Sequence, residues 1–216
     1  MSAPFDLGET DRLLSTTRAV RKRLDLKREV EPEVILDCIR LSQQAPTGSN
    51  SQGWRWLIVT EADKRAKLAE LYRQVGGAYL NAANEQLREA DPQTRRVYDS
   101  ALYLLEHLAE VPVHVIPCLL GQPPSDAPAA AYAGFFGSIF PAIWSFQLAL
   151  RSRGLGSVIT TIHLAREKEA AELLGIPDGV TQAALLPVAY TNGTDFKVAS
   201  RRPPEEITYW NEWKQA

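Results

Sequence analysis

Apolar positions recur along this chain at two spacings, and those spacings divide it into elements. Beyond Pro32, the residues Val34, Ile35, Cys38, Ile39 and Ser42 fall at the three- and four-residue steps of one helix face. That proline therefore opens a helix which ends just before Ala45. The stretch WRWLIVT from Trp54 has the continuous apolar and β-branched character of a buried strand. Asp63–Val75 returns to helical spacing, with Leu68, Leu71, Tyr72 and Val75 on one face. A second helical region is expected over Asn81–Glu110, interrupted near Asp91-Pro92. VPVHVIPCLLG is the next strand. A loop then leads into an apolar helix over Ile139–Leu150, expected to be buried on all sides. RSRGLGSVITT reads as a glycine turn entering a short strand, EKEAAELLG as a helix, IPDG as a turn and TQAALLPVAY as a strand; RRPPEEITYWNEW closes the chain. Helices grouped between scattered strands define an α+β fold rather than a regular βαβ alternation.

Composition narrows this picture. With 216 residues, 45% of them hydrophobic, the chain can bury one sizeable core, and a single domain over 1–216 is the expectation. A formal net charge of -2 gives no general attraction to nucleic acid, and no nucleic-acid partner is expected. Residues 127–150 run 24 residues without a charge, about the length of a membrane span. Prolines and glycines interrupt them, so a core or subunit interface is expected instead of a membrane span. Cys38 and Cys118 lie in apolar surroundings and read as reduced core residues. Three acids precede the first base at the N-terminus and no apolar leader core follows, so the expected compartment is the cytoplasm.

The chemistry is concentrated in three clusters. Arg18, Arg21, Lys22, Arg23, Lys27 and Arg28 face a single acid, Asp25, between Arg18 and Arg28. This is either a solvated face or a phosphate site. The loop APTGSNSQGW offers only hydroxyls, amides and glycine-freed backbone, which suits the edge of a planar polar ligand, although composition alone favours an ordinary turn. GLGSVITT and SRRPPEEI make up the third cluster. No Walker phosphate loop, dinucleotide fingerprint, zinc spacing or serine-hydrolase elbow is present, so an enzyme of this sequence would take its chemistry from a cofactor. Arginines for a phosphate together with amides for a heterocycle describe flavin mononucleotide (FMN).

These motifs, in this order, make the chain resemble the nitroreductase family of FMN-dependent flavoproteins over nearly all its length. They are TRAVR at Thr17–Arg21, APTGSNSQGW, the GLGS turn, the segment Leu173–Gly179, ALLPVAY and RRPPEEI. Thr17, Ala19 and Gly53 depart from the family pattern. The resemblance implies a mainly antiparallel central sheet surrounded by helices, in an intertwined homodimer with FMN at the interface. It implies that Arg18 and Arg201 hold the phosphate, with Ala19 beside them and Lys22 as a further donor. Arg21 would face the N1/O2 side of the flavin. Pro46, Thr47, Asn50 and Gln52 would meet its pyrimidine edge or ribityl chain, and Thr160 and Thr161 would lie near N5 and O4 through backbone N–H or hydroxyl groups. No metal is implied. The implied activity is ping-pong hydride transfer from NADH or NADPH to a small electron acceptor such as a nitroaromatic or a quinone. Reductive dehalogenation, ene reduction and flavin fragmentation remain alternatives, set by a lid around residues 76–103, and non-catalytic flavin binding is an alternative of another class.

Overall fold

The computed structural model describes residues 4–86 and 92–213. Of these, Arg18–Thr194 form one compact unit, and the residues before and after them form a second. The larger unit is built on one antiparallel sheet. Its strands are β1 (Trp54–Val59), β2 (Val113–Leu120), β3 (Leu155–Ser157), β4 (Val180–Gln182) and β5 (Leu186–Tyr190), in the order β1-β2-β5-β3, with β4 paired to β2 beyond the end of β5. β1 lies against β2 from Trp54↔Leu119 to Val59↔His114. Along β2, the partner shifts from Leu186 opposite Val115 to Gln182 opposite Cys118. One extra residue therefore separates β4 from β5. This bulge lies opposite Pro117, which has no N–H for a regular ladder.

Around the sheet lie α2 (Pro32–Ser42), α3 (Ala62–Gln86), α4 (Pro92–His107), α5 (Ala129–Gly137), α6 (Phe140–Ser152) and α7 (Glu167–Leu174). α6 packs against α2 and β3, and its Ile143, Phe146 and Leu150 are fully buried with Ile35, Trp54 and Val115 in the main core. Each such side chain contributes about 1.5–3 kcal/mol of burial. α7 stops at Gly175, whose φ of 66° supplies the left-handed cap.

Several sequence expectations are revised. α3 does not end at Val75 but continues through Gly76 and Gly77 to Gln86, because the bare Gly76 lets the helix approach Leu105 of α4 and Ile162 closely. The expected break near Asp91-Pro92 adjoins the start of α4 at Pro92, and Asp91 itself lies outside the described residues. The approach to the apolar helix is itself a helix, α5. Within the single chain α6 leaves Phe140 and Trp144 37% and 40% exposed, the face that a subunit interface would cover. By length and composition Ala129–Ser152 could cross a membrane, with a mean hydropathy of 1.4, but here it is two helices broken at Ser138–Ile139. The strand expected over TQAALLPVAY is two, split by the bulge.

The second unit contains α1 (Leu7–Thr16), capped by the Asp6 carboxylate accepting from Glu9 N–H at 2.9 Å. Its C-terminal part has a 3-10 turn over Pro204–Ile207 and a stacked pair, Tyr209 and Trp213, with ring centroids 4.3 Å apart.

Candidate functional site

The arginine segment is laid along the outer edge of β3. Val20 N–H donates to Ser157 O at 2.8 Å, and farther on Asp25 N–H donates to Tyr190 O at 2.8 Å. Gly156 makes the approach possible: a Cβ there would sit 2.9 Å from Val20 Cβ and 2.7 Å from Thr191 Cγ2. With Val20 turned into the core, its neighbours project differently. Ala19 and Lys22 are exposed, while Arg18 and Arg21 are half-buried. Arg18 Nε is shut away from solvent with no hydrogen-bond partner.

Arg21 enters a polar cluster between the sheet and the helices. Its Nη1 donates to Ser100 Oγ of α4 at 3.1 Å, and that hydroxyl donates to Val97 O at 2.7 Å. Burial pushes the guanidinium below its ordinary value, and the nearby Tyr72 partly opposes this. Tyr72, 2% exposed on α3, meets Thr160 Oγ1 through its hydroxyl at 3.0 Å. Burial raises the Tyr72 pKa, while Thr160 and the positive charge of Arg21 pull it back. Among the described residues no carboxylate forms an ion pair with Arg18 or Arg21. The cluster is therefore a partly desolvated positive region with no anion of its own.

Thr160 carries a constraint the sequence did not reveal. Its N–H donates to Leu185 O at 3.1 Å and its carbonyl accepts from Leu185 N–H at 2.8 Å, so of the two groups expected to reach a ligand only the hydroxyl is open. Thr161 is exposed, and its carbonyl begins the next turn by accepting from Leu164 N–H at 3.0 Å.

The loop before β1 forms a separate feature. Ser138, at the α5–α6 junction, anchors it: Gly48 N–H donates to Ser138 Oγ at 3.0 Å, and Trp54 Nε1–H donates to Ser138 O at 2.6 Å. Within the loop, Thr47 Oγ1 accepts from Gln52 N–H at 3.2 Å, and Gln52 Nε2 donates to Asn50 Oδ1 at 2.9 Å. Pro46, Asn50 and Gln52 are exposed and Thr47 is half-buried. Ser49, Asn50 and Gln52 hold φ values of 51°, 53° and 49°, an uncommon conformation for side chains other than glycine. Beside the loop opens an uncharged cleft of about 560 Å³, walled by Ser49, Ser51, Leu119, Ala131 and Phe135 among others.

Arg21 and Thr160 are thus brought together through Tyr72, and Arg18 lies on the same strand edge. The loop is not joined to them. It leads into β1 at one side of the sheet, while Thr160 bridges to Leu185 at the other. Three strand spacings separate them by about 14 Å. Arg201 belongs to the other unit, where it is exposed and its Nη1 donates to Ser200 O at 2.9 Å. Part of the expected lid lies outside the described residues; the rest is helix in α3 and α4. The clusters read from motifs omitted Tyr72, Ser100 and Ser138. Only Tyr72 left a signal: a phenol on the buried face of a helix needs a polar partner.

The chain belongs to the nitroreductase family, whose profile matches residues 14–190. It is 27% identical over 165 residues to an iodotyrosine deiodinase from Thermotoga neapolitana, covering 76% of this chain and 80% of that one. Its fold matches an oxidized iodotyrosine deiodinase bound to FMN and 3-iodo-L-tyrosine, with a TM-score of 0.69, 22% identity and coverage of 94% and 99% of the two chains. It also matches the FMN-dependent nitroreductase NfnB from Mycobacterium smegmatis, solved in complex with NADPH, with a TM-score of 0.67, 18% identity and coverage of 96% and 100%.

Proposed function

We propose that the protein is an FMN-dependent oxidoreductase that draws a hydride from NADH or NADPH and passes electrons to a small acceptor such as a nitroaromatic or a quinone. The observation that carries this reading is the half-buried Arg21, which has no carboxylate partner among the described residues and is linked to the Thr160 hydroxyl through Tyr72. A cation held in this way is matched to an anionic ligand. The residues of the larger unit fit FMN: Arg18, with its orphaned Nε, would hold the phosphate, assisted by Lys22. Arg21 would face the N1/O2 side, and Thr160 and Thr161 the N5/O4 side. When bound, the flavin supplies the hydride-accepting and electron-donating chemistry. The work of the protein is to orient the ring, offset charge near N1 and donate hydrogen bonds; no side chain here needs to act as a general base.

Asn50 and Gln52 would exchange their mutual hydrogen bond for contacts to the pyrimidine edge or ribityl chain. Their position across the sheet from Thr160 favours a homodimer, in which the loop of one copy completes the site of the other. Titration of the purified protein with FMN, together with sedimentation, tests the reading. Stoichiometric FMN binding by a species of twice the chain mass is expected; failure to bind FMN refutes the reading.

Reductive dehalogenation is the second reading, favoured by the likeness to iodotyrosine deiodinase. Turnover of a halogenated phenol with a chemical reductant, without turnover of nitro compounds with NADH or NADPH, would select it. Flavin that no nicotinamide or acceptor can cycle would indicate a carrier rather than a catalyst.

A further inference from the structure

Tyr72 stands outside every motif, yet its hydroxyl touches the one group of Thr160 still free to meet a ligand. The sheet bridge to Leu185 takes both backbone groups of Thr160, so what Thr160 can offer depends on the direction of a single O–H. A hydroxyl has one proton to donate and can accept at its lone pairs. Two arrangements of the 3.0 Å contact are therefore available. If Thr160 donated to Tyr72, no acceptor among the described residues would remain for the phenol proton of a residue only 2% exposed, at the full desolvation penalty of an unsatisfied donor. If Tyr72 donates, its own proton is satisfied and the proton of the half-buried Thr160 is released to the open side.

Charge selects the same arrangement. Arg21 acts on Tyr72 as a positive neighbour, and a cation draws the lone pairs of the phenol toward itself and turns its proton away. The contact is also held by the fold. One helical turn beyond Tyr72, the missing side chain of Gly76 lets α3 approach Ile162, where an added Cβ would lie 3.2 Å from Ile162 Cγ2. α3 is therefore docked on both sides of Thr161, through residues four apart on one face. Burial also favours the protonated phenol, which keeps it a donor.

We propose that Tyr72 is a positioning residue whose phenol donates to Thr160 Oγ1 and thereby commits the Thr160 proton to an acceptor atom of the bound flavin. This rests on the flavin reading above. A donor aimed at the ring gains most when the acceptor gains electron density, so removing it should weaken binding of the reduced flavin more than of the oxidised form.

The test measures dissociation constants for oxidised and anaerobically reduced FMN in the parent, Tyr72→Phe, Thr160→Ala, the double variant and Thr160→Ser. Tyr72→Phe and Thr160→Ala are each expected to raise the reduced-to-oxidised ratio by three- to tenfold; tenfold is equivalent to about 30 mV for a two-electron couple. The double variant should be no worse than Thr160→Ala alone, and Thr160→Ser should restore the parent ratio. A parent-like ratio in Tyr72→Phe, or losses that multiply in the double variant, would overturn the proposal. Should Tyr72→Phe fail to fold, equal ratios in Thr160→Ala and Thr160→Ser would overturn it. A parent that binds no FMN refutes the flavin reading itself, and is seen before any variant is compared.

Discussion

Replacing Gly156 by alanine should dislodge the arginine segment, and the structure sets the size of the effect. The new methyl would lie 2.7 Å from Thr191 Cγ2, 2.9 Å from Val20 Cβ and 3.0 Å from Val20 Cγ1. Both neighbours are β-branched and stiff about χ1, so neither yields by a simple rotamer change. Val20 is held by its N–H donating to Ser157 O at 2.8 Å, and Thr191 by its N–H donating to Gly154 O at 3.0 Å. Overpacking of this kind costs about 1–3 kcal/mol; loss of the Val20 hydrogen bond adds about 1 kcal/mol. Urea unfolding should therefore register a loss of about 2–4 kcal/mol. If the segment swings outward instead, FMN affinity should fall while stability changes less. Thr191→Ser removes Cγ2 but keeps the hydroxyl that donates to Gly193 O at 2.8 Å, so it should recover part of the loss in a double-mutant cycle. Gly77→Ala is the control: it lies within α3 with nothing within 4 Å of an added Cβ, and should stabilise by about 0.5–1 kcal/mol. A Gly156→Ala protein with parental stability and parental FMN affinity would refute the packing argument.

Acid should destabilise the larger unit through His114 and His163, both buried and held at a pKa of about 4, chiefly by desolvation, against an ordinary 6.5. Because the folded state resists a proton that the unfolded state accepts, stability is complete above about pH 6.5 and falls toward pH 4. The full loss is on the order of 3 kcal/mol per residue, and His163→Gln should flatten the slope of urea stability against pH. Ser138→Ala removes the hydroxyl that accepts from Gly48 N–H and donates to Gly134 O at 2.8 Å. It should cost about 1–2 kcal/mol and speed amide exchange around Gly48; unchanged exchange would show that the loop holds itself. On the flavin reading, Arg18→Ala should weaken FMN binding about ten- to a hundredfold with little change in midpoint potential, whereas Arg21→Ala should lower that potential by roughly 30 mV. Equal potentials in an equilibrium dye titration would show the two roles to be misassigned.

Strands and helices were legible where one face or one run was consistently apolar. WRWLIVT became β1 and PEVILDCIRLS became α2, because periodicity alone specifies both. Legibility failed where a neighbour decided the outcome. Gly76-Gly77 reads locally as a helix stop, but contact with Leu105 and Ile162 turns that bare backbone into a packing surface within α3. TQAALLPVAY reads as one strand, and only the pairing of β2, with Pro117 in its middle, requires the bulge. Phe140 and Trp144 belong to an apolar stretch, and nothing in its sequence separates the face turned to the core from the face turned outward.

The site divides in a similar way. Its cations and its amide-rich loop are motif residues, legible because each chemical type is concentrated in a short stretch. Tyr72 and Ser100 come from helices whose sequences read as ordinary amphipathic pattern, and they join the site only because α3 packs against α4 and against the turn that starts at Ile162. The loop adds something that no spacing encodes. Ser49, Asn50 and Gln52 all occupy the left-handed region, at a cost of roughly 1–2 kcal/mol each for a residue with a Cβ. Such a conformation persists only when surrounding contacts impose it, and here they are the two bonds to Ser138 and the Thr47 hydroxyl accepting from Gln52 N–H. Among the described residues the amides of Asn50 and Gln52 meet only each other, so the strain holds them outward on an exposed turn rather than packing them into the core. A plain turn, which its composition also allowed, would need neither the strain nor those anchoring bonds, and on the flavin reading both serve to present the two amides.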